Sequence, residues 1–371
     1  MSTSPQMLVL PGDGIGPEIM AEALKVANWL RTNAALDVEI VERPIGGAAY
    51  AQEGLALPPA TLDLARGADA ILLGCVGTPE LDHHPQRTAQ PGYALWYLRK
   101  ELDLPINLRP IYMRDMLVSA STLKPEVVRG TDFIFVRELT EGLYYGEPRG
   151  YDVEDGRKVR AFNTMYQTRD TVRRVAEAAF ELARRRRGEV CSVEKSNVLE
   201  VGRFWREVVT ELHAERYGDV RLRHMFVDNA AMQIVRDPRQ FDVVLTENLF
   251  GDILSDAAAM TTGSIGTLPS AALSRVGAEG ERVKGLYEPI HGTAPDIAGQ
   301  QKANPISCIM SLAMLLEYSL GRADLSRKID AAVSAALASG VRTADIAERG
   351  QAVVSTTTIG DAIVKALAAG S

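Results

Sequence analysis

The sequence predicts an α/β protein with much parallel strand pairing, divided into two domains. Three observations predict it. Short apolar runs of strand length alternate with amphipathic helical patterns along most of the chain. The 371 residues, 46% of them hydrophobic, exceed what a single core usually organises. No apolar run reaches the ~20 residues of a membrane-crossing helix, so the apolar residues are expected in a folded interior.

The strand-like runs are residues 7–10, 70–73, 132–136, 190–193, 224–227 and 242–246. Residues 17–35 read as a helix, with Met20, Ala23, Leu24, Ala27 and Leu30 on one face and a proline at the start. Residues 142–162 are rich in tyrosine, glycine and charge and lack a helical period, so an extended arm or hairpin is expected. Arg184-Arg185-Arg186-Arg187 follows the periodic positions Val172, Val175, Ala176, Ala179, Leu182 and Ala183 and precedes Gly188. That reads as a helix C-terminus whose charge complements the dipole. Ile306–Tyr318 is a strongly apolar helix.

Charge and cysteine content narrow the function. The 41 basic and 48 acidic residues give a net charge of −7, which argues against a basic field for nucleic acid. Cys75, Cys191 and Cys308 are far apart and odd in number, so neither a disulfide framework nor a zinc ribbon is expected. Small buried thiols in a reducing, cytoplasmic setting fit them. Residues 1–6 lack the basic segment and apolar core of a signal peptide.

Leu10-Pro11-Gly12-Asp13-Gly14-Ile15-Gly16-Pro17-Glu18 follows a strand and opens a helix, as a dinucleotide fingerprint does. Pro17 and Glu18 stand where the third fingerprint glycine and the helix start belong, and Asp13 adds negative charge. A tight turn that admits other backbone is the expectation, not a Rossmann site.

Asp252 and Asp256, in Asn248-Leu249-Phe250-Gly251-Asp252-Ile253-Leu254-Ser255-Asp256, are four apart and share a helical face. Like charges there repel unless a cation or partner lies between them. Hard oxygen donors suit Mg²⁺ or Mn²⁺; a solvated surface pair is the plainer alternative. Arg99, Arg109 and Arg137 stand at the ends of apolar runs or in short loops and make an anion pocket plausible. Lys195 follows a strand and is a candidate base, or simply reaches solvent. Tyr144 and Tyr145 follow Arg137, and a tyrosine there is a candidate proton donor or a packing residue; Asp228 is a third candidate carboxylate. The loop Glu288-Pro289-Ile290-His291-Gly292-Thr293-Ala294-Pro295-Asp296-Ile297-Ala298-Gly299 offers small-residue backbone for a flat ligand, or a plain connector.

Taken in order, these blocks resemble the β-decarboxylating dehydrogenases, the isocitrate and isopropylmalate dehydrogenase family. Also in register are Asn107-Leu108-Arg109-Pro110, Arg137-Glu138-Leu139-Thr140, Gly146-Glu147-Pro148-Arg149-Gly150, Lys195-Ser196-Asn197-Val198-Leu199, Val227-Asp228-Asn229-Ala230-Ala231-Met232 and Ala303-Asn304-Pro305. The resemblance implies an isopropylmalate dehydrogenase-like two-domain α/β fold with a shared mixed sheet. One domain would be residues 1–104 with 263–371. The other would be 105–262, with an arm near 142–162. It implies a homodimer with shared active sites, acting on a small-molecule substrate.

The resemblance further implies NAD-dependent oxidative decarboxylation of 3-isopropylmalate to 2-oxoisocaproate, a step of leucine biosynthesis. Arg99, Arg109 and Arg137 would clamp the carboxylate that is later lost. Asp252 and Asp256, with Asp228 of the partner subunit, would hold Mg²⁺ or Mn²⁺, and Asp228 would also border the substrate. Lys195 would take the hydroxyl proton and Tyr144 would protonate the enol carbon. Glu288, His291, Gly292, Thr293, Ala294, Asp296, Ile297 and Asn304 would bind NAD, with Asp296 disfavouring a 2′-phosphate. Leu95 and Trp96 would border the 3-substituent. Here the chain departs from isopropylmalate enzymes: Pro91 or Gly92 replaces an acid, and Trp96 replaces a leucine. Another 3-substituted malate, a malate- or tartrate-like acid, and a non-catalytic regulatory paralogue are the alternatives.

Overall fold

Strand β1 (Gln6–Gly12) alternates its side chains between two cores, Met7 and Val9 to one side, Leu8 and Leu10 to the other. The same double burial recurs in the inner strands of a ten-stranded sheet, whose two edge strands are only partly buried. The computed structural model describes residues 4–278 and 280–370, so the first residues of the leader expectation, Met1 to Thr3, lie outside it. After β1 come α1 (Gly16–Asn33), β2 (Glu39–Glu42), α2 (Gly47–Glu53), α3 (Pro59–Gly67), β3 (Ala70–Cys75), α4 (Pro91–Glu101) and β4 (Ile106–Tyr112). Next are α5 (Pro125–Val128), β5 (Asp132–Glu138), β6 (Gly150–Glu154), β7 (Arg157–Phe162), α6 (Arg169–Arg184), β8 (Glu189–Glu194) and α7 (Glu200–Arg216). Then follow β9 (Arg221–Phe226), α8 (Val227–Arg236), β10 (Val243–Thr246), α9 (Asn248–Thr261), β11 (Pro269–Leu273) and β12 (Gly285–Pro289). The helices α10 (Ile306–Tyr318), α11 (Ala323–Ala338) and α12 (Thr356–Ala369) complete the chain.

The strand order is β2-β1-β3-β12-β11-β4-β5-β10-β8-β9. Pairing is antiparallel at β12–β11, β11–β4 and β4–β5 and parallel elsewhere, which makes the sheet mixed. The five strands from β2 to β11 come from residues 1–104 and 263–371, the five from β4 to β9 from residues 105–262. The two groups meet at the β11–β4 ladder. This is a two-domain α/β fold around one mixed sheet. On one face α1, α6, α7 and α10 to α12 share a continuous core. On the other, α4 packs over β1 and β3, and α8 and α9 pack over β5 and β10.

Three boundaries differ from the sequence reading. Phe226 ends β9 and Val227 already opens α8, so Asp228 stands on a first helical turn. Asp242 is drawn out of β10 because its carboxylate accepts from Arg186 Nε at 2.9 Å and from the Arg187 and Glu189 amides at 2.9 and 3.1 Å. The arm is shorter than expected: residues 142–144 form a single tight turn, and only β6 and β7 pair, as an isolated antiparallel hairpin. The three cysteines are free and buried. Among the described residues no helix is long and apolar enough to cross a membrane.

Candidate active site

Helix α9 begins where Glu247 caps it, accepting from the Leu249 and Phe250 amides at 3.0 and 2.6 Å. Its exposed turn then presents Asp252 and Asp256. The cation between them is a side chain: Arg109, from β4, donates to Asp252 Oδ1 at 3.3 Å and to Asp256 Oδ1 at 3.0 Å. It also donates to Ser255 Oγ at 2.8 Å and to Asn107 Oδ1 at 2.9 Å. Arg137, at the end of β5, donates to Asp252 Oδ1 at 2.6 Å and twice to Asn248 Oδ1, at 2.7 and 3.1 Å. Gly251 makes this approach possible, since a Cβ there would lie 2.7 Å from Arg137 Cγ. The Tyr144 hydroxyl donates to Asp252 Oδ2 at 2.9 Å.

Arg99, Arg109, Arg137, Tyr144, Asn248 and Asp252 form the polar wall of a cavity of about 270 Å³. Gly92, Leu95, Trp96, Leu139 and Tyr145 form its apolar wall. The structure therefore brings the three arginines of the sequence reading together and turns Trp96 toward them. Asn248 was given no role beforehand, and Tyr145 was named only beside Tyr144, as a proton donor or a packing residue. Asn248 opened the quoted aspartate run, but no spacing rule ties it to Arg137.

The electrostatics follow from crowding. Burial and the neighbouring Arg109 lower Arg137 to about 10, although Asp252 opposes this. Burial alone would raise Asp252, but Arg137 and Arg109 outweigh it and hold the carboxyl below its ordinary value. Asp256 is raised, by burial first and despite Arg109. Burial and the Asp252 charge push Tyr144 up to about 12, so its proton stays on at neutral pH.

Lys195 and Asp228 are not brought to this cavity within the chain. Lys195 Nζ donates to Asp228 Oδ1 at 2.5 Å, and that bond lowers the carboxyl. Asp228 is exposed. Among the described residues no three His, Cys, Asp or Glu side chains gather tightly enough to hold a metal.

A second cavity, of about 330 Å³, borders the glycine turn at Ile15. From the sequence reading it is lined by His291, Gly292, Ala294, Ile297 and Asn304. Thr293 is buried behind it: its carbonyl accepts from Ile15 N at 2.9 Å, and a Cβ on Gly14 (φ +56°) would collide with it. The turn thus admits another backbone, as expected. Asp13 serves α2, accepting from the Gly47, Ala48 and Gly77 amides, each at 2.9 Å. Asp296 is exposed and outside the lining. Glu288 is turned the other way, its carboxylate ion-paired with Arg99. Asp345 was missed by the sequence reading. It borders the cavity, accepting from Asn304 Nδ2 at 3.0 Å, from Ser264 Oγ at 2.5 Å and from Thr343 Oγ1 at 2.6 Å. It lies in a loop without a motif.

Fold and site together define a two-domain α/β protein with an arginine-lined anion pocket on paired carboxylates. A family model described as isocitrate/isopropylmalate dehydrogenase matches residues 6–363. A 3-isopropylmalate dehydrogenase of Methylococcus capsulatus is 54% identical over 367 residues, covering 98% of this chain and 99% of its own. One from Gluconobacter oxydans is 51% identical over 365 residues, covering 98% of each chain. Among solved structures, an isocitrate dehydrogenase from Methylococcus capsulatus is similar with a TM-score of 0.86 at 33% identity, covering 98% of this chain and 99% of that one. A β-decarboxylating dehydrogenase from Thermococcus kodakarensis is similar with a TM-score of 0.75 at 33% identity, covering 98% and 96%. The chain belongs to the isocitrate/isopropylmalate dehydrogenase family.

Proposed function

We propose that this chain catalyses the NAD-dependent oxidative decarboxylation of 3-isopropylmalate to 2-oxoisocaproate, a step of leucine biosynthesis in the cytoplasm. The observation that carries the reading is the two-sided cavity. Three arginines, Tyr144 and Asp252 face an apolar wall containing Leu95 and Trp96, as a dicarboxylate with an alkyl branch requires.

The residues present fit both absent groups. Asp252 and Asp256 are hard oxygen donors one turn apart and partly open to solvent, suited to Mg²⁺ or Mn²⁺ with Asp228 of the partner subunit. For NAD, the second cavity carries an orphan: His291 Nε2 is buried without a hydrogen-bond partner. When bound, NAD would supply a hydride acceptor and the divalent cation a Lewis acid, chemistry no side chain here supplies. The chain's own residues do the rest. Arg99, Arg109 and Arg137 orient the carboxylate to be lost, and Lys195 of the partner subunit accepts the hydroxyl proton. Tyr144 holds the proton that C3 receives after CO₂ leaves.

Shared sites require a dimer. Met232 and Val235 on α8, Ile253 and Met260 on α9, and Tyr151, Val153 and Val159 on the arm are apolar and exposed, a surface suited to a second copy. We assign residues 1–104 with 263–371 to the cofactor-side domain and 105–262 to the substrate and dimerisation domain, because the sheet joins at β11–β4.

The test is NADH formation at 340 nm with NAD⁺ and Mg²⁺, comparing 3-isopropylmalate with malate, tartrate, isocitrate, 3-methylmalate and 3-benzylmalate. Preference for 3-isopropylmalate supports the reading. Trp96 in the wall and the absence of an acid at Pro91 and Gly92 favour a second reading, the same chemistry on another 3-substituent, and preference for another acid would select it. Failure with every acid would leave the regulatory paralogue.

A further inference from the structure

Tyr144 and Tyr145 are consecutive but serve different neighbours. The Tyr144 hydroxyl meets Asp252 at 2.9 Å. The Tyr145 ring stacks on the Trp96 indole, centroids 4.6 Å apart and planes 20° apart. Its hydroxyl reaches the Trp96 carbonyl at 3.5 Å. The indole is itself held by Tyr93, whose ring stacks on it at 5.3 Å and 28°. Trp96 belongs to α4, within residues 1–104, while Tyr145 follows the turn at residues 142–144, within residues 105–262. The stack therefore joins the two halves beside the arginine cavity, which both rings line. The turn has other anchors on its far side: Arg149 Nη1 donates to the Tyr144 carbonyl at 2.6 Å, and the Gly146 amide to the Gly142 carbonyl at 3.0 Å. Those anchors fix backbone; the stack fixes the direction from which the loop faces α4.

We propose that Trp96 is a positioning residue: through its stack on Tyr145 it holds Tyr144 where the phenol proton reaches one face of the substrate's C3. A 3-substituent that displaces the indole then disturbs proton delivery as well as binding. This rests on the reading that Tyr144 supplies that proton. In the step concerned, the electron pair of the C3–carboxylate bond remains with the enolate as CO₂ leaves. C3 then forms a bond to the Tyr144 proton, and water returns a proton to the phenolate.

The experiment is turnover in D₂O with NAD⁺, Mg²⁺ and the 3-alkylmalate used fastest, the 2-oxo product being aminated in situ by an amino-acid dehydrogenase. Proton NMR then reads which C3 position carries deuterium. Wild type and Trp96→Phe, which keeps a ring, are expected to label one position. Trp96→Leu is expected to label both, with kcat falling about tenfold and KM changing less, because misplacing a reacting group costs rate. Tyr144→Phe is the control. Mixed label in Tyr144→Phe with single-position label in Trp96→Leu overturns the coupling alone. Single-position label in Tyr144→Phe overturns the role of Tyr144 itself. Trp96→Ala, read the same way, decides the matter if Trp96→Leu does not fold.

Discussion

The Tyr144 hydroxyl and one oxygen of Asp252 form a 2.9 Å hydrogen bond, while the other oxygen of that carboxylate takes Arg137 at 2.6 Å and Arg109 at 3.3 Å. One carboxylate thus satisfies three groups assigned to two different tasks, proton delivery and carboxylate binding. Asp252→Asn would leave two buried guanidinia facing a neutral amide. The expected result is loss of the Mg²⁺ binding heat in calorimetry, with a stability loss of about 2 kcal/mol in a denaturant melt. Unchanged Mg²⁺ binding would remove Asp252 from the metal site.

Arg137 lies across α9 only because residue 251 is glycine. Arg137→Gln keeps a donor to Asn248 but removes the charge. We expect kcat/KM to fall by about a hundredfold or more, since a charged fork on a carboxylate is lost. Steady-state kinetics on the preferred acid would show it, and a change under threefold would argue that Arg137 is structural.

Glu138, next in sequence, predicts a pH effect on stability. Its carboxyl is fully buried and lifted to about 7 by that burial, although it accepts from the Thr140 and Glu141 amides. A carboxyl with a raised native value binds more protons when folded than when unfolded. Its contribution is therefore full below the ordinary carboxyl value of 4.5, and it is lost progressively as pH rises from there through about 7. Between pH 6 and 8 wild type is expected to lose about 1 kcal/mol relative to Glu138→Gln. Parallel denaturant melts at the two pH values would check this, and an equal shift in both proteins would refute it.

Shared sites predict complementation. Lys195→Ala and Asp252→Asn are each expected to be nearly inactive. Mixed and re-equilibrated, they should recover activity equivalent to about a quarter of wild-type sites, because half the dimers are mixed and each carries one intact site. Met232→Glu, on the exposed face of α8, should shift the mass in analytical ultracentrifugation toward the monomer. No recovery on mixing dimeric variants would place each site within one chain.

Much of the fold was legible because its signals are local. The strongly apolar helix Ile306–Tyr318 has the bounds that its composition suggested, and Arg184 ends α6 before Gly188 as dipole and glycine chemistry require. Boundaries failed where a distant side chain decided them, as Arg186 did for Asp242. In the site, Asp252 and Asp256 were visible from helical spacing alone. The Arg109 bridge between them was not, since it joins positions 143 and 147 residues apart. Asp345 stayed hidden for the same reason, 41 residues from Asn304 in a loop of ordinary composition.

The position of β12 beside β3 carries a consequence for how the molecule is made. Gly285, Leu286 and Tyr287 supply the ladder partners of Ala70, Ile71 and Leu72. The amino-terminal strands therefore lack one neighbour until more than three quarters of the chain has emerged from the ribosome. The segment from β4 to α9 is contiguous and contains all but one of its own strand neighbours. Such an arrangement favours early closure of the central segment, with the first hundred residues waiting for the last hundred. Truncations from the carboxyl end would then be most damaging at the opposite end of the sequence.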